Sequence, residues 1–559
     1  MSRFLDLSPM LCHLLYCRGY QTEEDIYSFF TEGPPSHDPL KLPDIDAATG
    51  RIRSAIERHE CVAIYGDFDC DGLTSSAALE ETLRGYGLDP LVHIPSREEG
   101  HGLHPEALVK LASTGATLLI SVDCGVTAID EVQVARKLGM DVIVTDHHEP
   151  RADGSLPDCP VVDPVRHDSH YPFRGLCGVG VVYKLAQALA LRIPANLDPD
   201  DLLDLVALGT VADVVPLRDE NRFLVMQGLR RLQKTSRAGL RALFEVAGVD
   251  PARLDPTSIG FYLAPRVNAA NRLADPNIAY ALLTARDPDV AKQLARTLSA
   301  FNEQRQSLVN QRADQLYEAV GDPEVLLAET RLGVRPPVLI EVGEWTAGIS
   351  GLLASKLSDR YGLPAFVGSE SRDTVSVSAR GVGGVYIDEI LEACELAVPG
   401  GLFHGYGGHA RAGGFRVSKD RWELARITLE EQARLHVPLD VVGTVLTADA
   451  DVPLRKLTAY AASQVLTLAP FGNEFGEPLF LVRDVSLMHC RVVSDGSKHV
   501  KLKLQQGDMR MSAVHFNSGD EIIGLSAGTR LDILCHVQLN HWRDMVKAEL
   551  CVRDWRLAE

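Results

Sequence analysis

Acidic and histidine residues gather at four points of the chain, three of them directly after short apolar runs. These points are Asp67-Phe68-Asp69-Cys70-Asp71-Gly72, Asp123, Asp146-His147-His148 and Gly209-Thr210-Val211-Ala212-Asp213. Carboxylate oxygens together with one or two imidazoles suit Mn²⁺ or Mg²⁺ better than zinc. Two such ions about 4 Å apart form a clamp for in-line attack on a phosphate. The residue types therefore predict a two-metal site for phosphate chemistry.

The apolar runs alternate with helical stretches through the first 190 residues. The runs are typical of buried strands and lie at Cys61–Tyr65, Leu91–Ile94, Leu118–Val122, Val142–Thr145 and Val161–Val162. Helical stretches between them include Thr74–Leu83, Pro105–Ala112 and Ala128–Leu138. This alternation predicts a mostly parallel sheet covered on both faces. The carboxyl ends of its strands face one crevice, where the acidic and histidine residues would meet.

Each motif also has a simpler interpretation. Asp67–Gly72 matches the opening of a calcium loop, but Ala78 stands where that loop needs a glutamate. Asp123 alone could be a helix N-cap, and His147-His148 could be a pair in a turn. The joint occurrence of the motifs in this order, after β-type runs, is much more specific than any one of them.

The pattern changes after residue 190. From about Leu202 to Val320 it is chiefly helical, and Pro336-Pro337 introduce a second α/β segment. The C-terminal part carries turn-separated alternating stretches such as Val500–Leu504, which are typical of a small β-barrel or sandwich. We predict an N-terminal helical segment at 1–45, a catalytic α/β domain at 46–215, a helical connection at 216–325, a second α/β domain at 326–437 and a β-barrel domain at 438–559.

Composition is that of an ordinary globular chain, with 45% apolar and 24% charged residues among 559. The eleven cysteines include no CxxC pair, which disfavours a zinc knuckle or a disulfide framework. No run of about 18 apolar residues occurs, so we expect a soluble cytoplasmic protein. The net charge of −20 argues weakly against nucleic-acid binding, although a local positive path suffices and carboxylates that hold cations count in this sum.

The ordered motifs resemble those of the DHH phosphoesterase family. They read YGDFDCDG, SVDCG, TDHH, VVDP and LGTVAD, and Gly407–Gly414 is similar to the GGHxxAGG signature of the DHHA1 domain. Ala264–Ala270 resembles the PRxNAA segment of the family's single-stranded-DNA exonucleases. The resemblance covers nearly the whole chain from about residue 40 and implies an OB-fold for the C-terminal barrel. The chain departs from the pattern at Thr346, where a histidine is frequent, and at Asn271, where glycine is common.

The resemblance implies roles for individual residues. Two Mn²⁺ or Mg²⁺ ions would be held by Asp69, Asp71, Asp123, His147 and Asp213, with Asp123 between them. Asp67, His148 and Asp163 would lie beside or behind these ligands. His409 would reach the scissile phosphate from the other α/β domain. Water activated by the ions would be the nucleophile, so no serine or cysteine is needed.

The sequence indicates the residues that would bind DNA less specifically than it indicates the metal ligands. The candidate nucleic-acid contacts are Arg266, Asn268, Arg272, Arg296, Arg305, Arg380, Gly407, Gly408, Lys501 and Lys503. Lys501 and Lys503 share one face of a strand and could belong to an OB-fold groove. Six basic residues and no acidic one occur in Asn221–Phe244, which is either a phosphate-tracking surface or a solvated helix face.

The resemblance implies a single-stranded-DNA-specific 5′-to-3′ exonuclease of DNA repair and recombination, and the direction rests on the resemblance alone. The expected partners are single-stranded DNA, a RecQ-type helicase and a single-strand-binding protein, and the expected state is a monomer. One alternative is a phosphodiesterase for short oligonucleotides or cyclic dinucleotides. Others are a non-catalytic nucleic-acid-binding member of the family and a manganese pyrophosphatase.

Overall fold

The computed structural model describes residues 7–31, 33, 35–194, 196–443, 445–493, 499–516, 520–542 and 545–558. Over these residues the strands form three sheets, the first with a hydrophobic core on each face and the other two with one core each. No helix in these ranges is long and apolar enough to cross a membrane.

The first part of the chain builds a parallel five-stranded sheet. Its elements in order are α1 (Pro9–Cys17), α2 (Glu23–Thr31), α3 (Ile45–Arg58), β1 (Val62–Tyr65), α4 (Cys70–Gly85), β2 (Leu91–His93), α5 (Pro105–Ser113), β3 (Leu118–Val122), α6 (Ile129–Lys137), β4 (Asp141–Thr145), β5 (Val161–Val162) and α7 (Gly178–Ala190). The strand order is β2-β1-β3-β4-β5, and every neighbouring pair is parallel. Val62 and Ile64 enter one core while Ala63 and Tyr65 enter another, because helices cover both faces. The predicted parallel sheet is confirmed.

A helical region follows and packs on this sheet. It comprises α8 (Leu203–Ala212), α9 (Asp219–Leu232), α10 (Ala238–Ala247), α11 (Pro256–Ser258), a π-helical turn (Ile259–Leu263), α12 (Ala264–Leu273), α13 (Asn277–Thr284) and α14 (Pro288–Val320). Helix α14 begins in the core of the parallel sheet with Ala291 and Leu298 and ends in the next core with Val309 and Leu316. This one helix therefore joins two cores.

The second α/β domain contains a mixed sheet. Its elements are α15 (Pro323–Arg331), β6 (Leu339–Gly343), α16 (Ala347–Tyr361), β7 (Ala365–Glu370), β8 (Thr374–Arg380), α17 (Ile387–Ala397), β9 (Gly405–His409), β10 (Ala412–Ser418) and α18 (Trp422–His436). The strand order is β6-β7-β8-β10-β9, in which β6 and β7 run parallel and the other pairs antiparallel. Strand β9 is an edge strand, and all five of its residues are exposed.

The C-terminal part closes into a five-stranded barrel. Its elements are β11 (Ala450–Asp451), α19 (Ala459–Leu466), β12 (Phe480–Val492), β13 (Val500–Gln506), β14 (Met509–His515), α20 (Asp520–Ile523), β15 (Arg530–Trp542) and β16 (Met545–Leu557). Pairing of β12 with β15 closes the barrel, as the OB-like prediction required. Leu11, Leu14 and Ile26 of α1 and α2 lie in the barrel core. The domain boundaries themselves stay a prediction.

The buried side chain of Arg222 joins the catalytic domain to the barrel domain. Its guanidinium donates hydrogen bonds to the carbonyls of Leu468, Ala469 and Pro470 at 2.7, 2.9 and 2.8 Å. It also lies over the ring of Phe475, 4.5 Å from the centroid. Farther along the basic stretch, Arg237 pairs with Asp204 and Glu81. These two arginines are therefore structural, and neither is free to track phosphates.

We expect Arg222→Ala to loosen the barrel domain, because three buried carbonyls lose their donor. Unsatisfied buried groups of this kind should lower the free energy of unfolding by about 3 kcal/mol. Chemical denaturation and limited proteolysis near residue 470 would measure the change. Arg230→Ala is the matched control, since Arg230 is exposed on the same helix. Equal free energies of unfolding for the two variants would contradict the role of Arg222 in holding the barrel domain.

Candidate metal centre and active site

The loop between β1 and α4 presents three carboxylates at the carboxyl edge of the parallel sheet. Asp67 follows β1, Asp69 is the N-cap of α4, and Asp71 lies in its first turn. The Asp69 Oδ1 accepts hydrogen bonds from the backbone N–H groups of Asp71 and Gly72 at 2.9 and 3.1 Å. The cap fixes one oxygen of Asp69 and leaves the other available.

Helix α12 supports this loop through two hydrogen bonds. Asn268 Oδ1 accepts a hydrogen bond from the N–H of Cys70 at 2.8 Å, and Asn271 Nδ2 donates to the carbonyl of Phe68 at 3.1 Å. Asn268, predicted as a nucleic-acid contact, therefore supports the metal loop with its carbonyl oxygen. Asn271 is buried, and its amide gives α12 a second contact to the same loop.

The N-terminus of α7 reaches the middle of the acidic cluster. The Asp71 carboxylate accepts hydrogen bonds from the N–H groups of Gly178 and Val179 at 2.6 and 2.9 Å. Asp123 ends β3 in the left-handed conformation, with φ of 61°. A Cβ on Gly178 would lie only 2.6 Å from Asp123 Oδ1, so no other residue fits here without moving Asp123. Gly178 thus permits the two carboxylates to approach each other.

His147 points its Nε2 atom into the acidic cluster. Nε2 lies 3.0 Å from Asp123 Oδ1, 3.8 Å from Asp213 Oδ2 and 3.9 Å from Asp71 Oδ2. Three sets of side chains bring their potential ligand atoms within 4.8 Å of one another. The sets are Asp71-His147-Asp213, Asp67-Asp69-Asp123 and Asp123-His147-His148. Asp123 belongs to two of them, as a carboxylate between two ions would.

The electrostatics of the cluster require positive charge. Burial, followed by the charge of Asp69, raises the pKa of Asp71 to about 7. Burial and the Asp71 charge also raise the pKa of Asp123. Burial and the charge of His148 lower the pKa of His147 to about 3, so its imidazole is neutral. Neutral imidazole and carboxylate are the forms that bind metal ions.

Buried polar atoms without hydrogen-bond partners are a second indication of a cation site. The carbonyl of Leu176 accepts a hydrogen bond from the His147 ring, which leaves Nε2 with a lone pair. That lone pair faces Asp123 Oδ1, which is buried and has no hydrogen-bond partner. Asp67 Oδ1 is buried and unpartnered in the same way. Two electron-rich atoms 3.0 Å apart repel each other unless a cation bridges them, so the donor set fits divalent metal ions.

Asp146 organises the two histidines, although the sequence analysis named it only as part of the TDHH motif and assigned it no role. Its buried carboxylate accepts hydrogen bonds from the backbone N–H of Val126 at 2.9 Å, the N–H of His147 at 2.8 Å and His148 Nδ1 at 2.7 Å. Burial opposes the charged form of His148, but Asp146 raises the pKa of that imidazole to about 10. Burial and the Asp146 charge raise the pKa of Asp163, behind it, to about 8. The hydrogen bond to Asp146 therefore fixes the orientation of the His148 ring beside the metal-cluster residues.

The second α/β domain completes the cleft with His409. The His409 ring on β9 stacks on the His148 ring, with centroids 5.6 Å apart and planes inclined by 19°. Desolvation and the charge of His148 lower the pKa of His409. Gly407 and Gly408 are exposed on the same strand, so the backbone here is open to a ligand. The predicted meeting of the two domains at these histidines agrees with the geometry.

Four arginines line the cleft beside the metal cluster. Desolvation, followed by the charges of Arg97, Arg305 and Arg380, lowers the pKa of Arg272 to about 9. Arg272 donates a hydrogen bond to the Gly348 carbonyl at 2.8 Å across the domain junction. Arg97 was missed in the sequence because no motif marks it. Guanidinium groups that repel one another in a shielded cleft fit an anionic ligand such as phosphate.

The other predicted nucleic-acid residues lie outside this group of four. Arg266 lies near Arg305 and donates to the carbonyl of Tyr262 at 2.6 Å. Arg296 is exposed on α14, and no described contact links it to the cleft. Lys501 and Lys503 are exposed on barrel strand β13, where Lys503 donates to Ser512.

Comparisons with known proteins agree with this geometry. Three family models match: the DHH family N-terminal domain at residues 61–210, the DHHA1 domain at 335–434 and the RecJ OB domain at 448–554. The crystal structure of RecJ in complex with Mn²⁺ from Thermus thermophilus superposes with a TM-score of 0.82 and 26% identity, covering 100% of this chain and 77% of that one.

Curated relatives give the same result. The chain is 34% identical to the single-stranded-DNA-specific exonuclease RecJ of Bacillus subtilis, over 99% of this chain and 69% of that protein. It is 32% identical to the Escherichia coli protein of the same name, over 92% and 89%. The fold and site define a DHH-type phosphoesterase with a DHHA1 domain and an OB domain. The chain belongs to the RecJ family.

We expect Gly178→Ala to weaken metal binding, because the new methyl group would displace the Asp123 carboxylate. Loss of a group that orients metal ligands typically costs about 10- to 100-fold in metal affinity. Titration calorimetry with Mn²⁺ would measure it. Gly180→Ala is the matched control on the same helix, since its Cβ would meet only ordinary contacts, from 3.4 Å. Equal Mn²⁺ affinity of the two variants would contradict the role of Gly178.

Proposed function

We propose that this chain is a metal-dependent exonuclease that degrades single-stranded DNA from the 5′ end and acts in DNA repair and recombination. The observation that carries the proposal is the crowded set of carboxylates around His147 Nε2, placed opposite a cleft rich in arginine. Relatives at 34% and 32% identity are named single-stranded-DNA-specific exonucleases, which supports the substrate class. The 5′-to-3′ direction rests on the resemblance to the family.

The residues present fit two divalent ions. Asp69, Asp71, Asp123, His147 and Asp213 would hold them, and Asp67, expected beside these ligands, lies close enough to Asp69 and Asp123 to be a further ligand. Relatives from Thermus thermophilus have been solved with Mn²⁺ and with Mg²⁺, which supports either metal. When bound, such ions lower the pKa of water and neutralise charge on the phosphate.

The chain's own residues would bind and orient the substrate. The guanidinium groups of Arg97, Arg272 and Arg380 would hold phosphate groups by charge-assisted hydrogen bonds. The ring of His148, oriented by Asp146, and the facing ring of His409 would stabilise charge that develops on the scissile phosphate. A cleft between two domains that are joined by a helix would admit one strand and exclude a duplex.

The cellular setting is also proposed. We infer a cytoplasmic monomer that receives single strands from a RecQ-type helicase and works alongside a single-strand-binding protein. The absence of a helix able to span a membrane from the described residues is compatible with that location.

The function predicts stepwise hydrolysis of a single-stranded oligonucleotide. With Mn²⁺, nucleotides should be released progressively from the 5′ end, because the metal site and the arginine cleft act on the terminal phosphodiester. Chelator and Asp123→Ala should each abolish release. The measurement is electrophoresis of the strand, labelled in turn at either end. Asp314→Ala is the control, since Asp314 is exposed on α14 and belongs to none of the three ligand sets.

Other outcomes would select the alternatives. Intact long strands with hydrolysis of dinucleotides or cyclic dinucleotides would indicate a small-substrate phosphodiesterase. DNA binding without any hydrolysis would indicate a non-catalytic module. Release from the 3′ end would contradict the proposed direction alone.

Arg380→Ala should raise KM for single-stranded DNA about tenfold, with a smaller change in kcat, because a phosphate contact is lost. The slope of log affinity against log salt concentration should fall by about 1. Steady-state kinetics and salt-dependent binding measure both effects. Arg372→Ala is the control, because Arg372 is exposed at the β7–β8 turn. An unchanged salt slope in Arg380→Ala would contradict a phosphate contact.

A further inference from the structure

Two neighbouring aromatic rings are exposed on the π-helical turn Ile259–Leu263. Phe261 is 73% exposed and Tyr262 is 50% exposed, while Ile259 and Leu263 of the same turn are fully buried. The turn is therefore anchored by its two buried side chains, and its two aromatic rings are exposed to solvent. Two adjacent exposed rings offer flat apolar faces on which a planar ligand can stack. π-Helical turns frequently occur at functional sites.

The aromatic turn lies beside the metal cluster. A Cβ on Gly260 would be 3.9 Å from Val211 Cγ1, and Val211 precedes the metal-cluster residue Asp213 by two positions. Val214, directly after Asp213, is 63% exposed with a positive φ of 59°. The aromatic turn leads directly into α12, whose Asn268 contacts the metal loop at Cys70.

The segment after Asp213 contacts the barrel domain. The Val214 carbonyl accepts a hydrogen bond from Asn473 Nδ2 at 2.7 Å, and the Asn473 carbonyl accepts one from Leu217 N–H at 2.8 Å. Asp255, which caps the helix before the turn, lies close enough to Glu477 of the barrel domain to raise its pKa, although burial is the larger cause. The segment after Asp213 and the cap before the aromatic turn therefore both lie near the barrel domain.

Positive charge borders the rings. Arg266 Nη1 donates to the carbonyl of Tyr262 at 2.6 Å, so its guanidinium is held against the turn. Arg266 lies near Arg305, one of the four arginines of the cleft. Exposed rings next to guanidinium groups match the alternation of bases and phosphates in a single strand.

We propose that Phe261 and Tyr262 form a stacking platform for bases of the DNA strand that runs from the barrel to the metal cluster. The inference rests on the proposed function and deepens it by assigning the residues that hold the uncut strand. Stacking suits an exonuclease because every base has a π-face, so the contact does not depend on sequence. A protein partner at the same place would block the cleft, and the adjoining cations favour DNA.

The platform can be tested by binding under chelator, where no hydrolysis occurs. Phe261→Ala should weaken binding of a single-stranded oligonucleotide about tenfold, measured by fluorescence anisotropy. Phe261→Trp should bind as tightly as the native protein, because tryptophan also stacks on bases. Phe261→Leu should bind as weakly as Phe261→Ala, because leucine keeps apolar contact but lacks a π-face. Tyr16→Ala is the matched control, since Tyr16 is 55% exposed on α1. Equal binding by Phe261→Ala and the native protein would overturn the platform.

An abasic scan separates stacking from a general loss of structure. Removing one base at a time should weaken binding to the native protein at one or two adjacent positions. At those positions, removing the base should not weaken the binding of the oligonucleotide to Phe261→Ala any further. A loss that is uniform along the strand would overturn the inference, because it would indicate a change in fold.

The two proposals can fail separately. If DNA is cut from the 5′ end but Phe261→Ala binds as the native protein does, only the platform is wrong. If DNA is bound with the expected abasic pattern but never cut with Mn²⁺, only the exonuclease is wrong. A native protein that neither binds nor cuts single strands would overturn both. Binding of a protein in place of DNA, lost in Phe261→Ala, would also overturn the platform.

Discussion

Repulsion between carboxylates in a shielded pocket is the constraint on which the catalytic half of this chain depends. Asp71, Asp123 and Asp213 approach His147 Nε2 within 3.0 to 3.9 Å, although each charge opposes the others. Without cations the group would have to take up protons, as the raised pKa values of Asp71 and Asp123 indicate. The surrounding elements hold the acids in this unfavourable arrangement ready for metal. Backbone N–H groups of α7 bind Asp71, and α12 supports the loop that carries Asp69.

The second constraint is that the residues of the site come from two domains with separate hydrophobic cores. The metal cluster belongs to the parallel sheet, whereas His409 and Arg380 belong to the mixed sheet. Helix α14 spans both cores and carries Arg305 in the stretch between them. At about 1.5 Å per residue its length is on the order of 50 Å, so a small change in its direction would separate His148 from His409. The opening of the cleft is thus a property of this helix more than of any loop.

The elements that carry the metal site could be predicted from the sequence. Buried parallel strands appear as short apolar runs, and the carboxylates follow them directly, so Asp69, Asp123 and His147 could be placed at one edge. Contacts formed by distant segments leave no local sign. Arg97 reaches the cleft without a motif, and Asn268 turned inward to support the metal loop. Arg222 resembles a surface charge on a basic helix, but its partners lie almost 250 residues farther along the chain.

The packing of the first two helices on the last domain has a consequence for synthesis. Leu11 and Leu14 of α1 are synthesised before the barrel strands, although the barrel core that buries them includes Val552. The growing chain must therefore carry an uncovered apolar segment through the translation of both α/β domains. Domains generally fold in order as they emerge, and exposed apolar surface in that interval favours aggregation or chaperone binding. The barrel can cover this segment only after β16 has been synthesised, so burial of α1 must wait for the barrel strands.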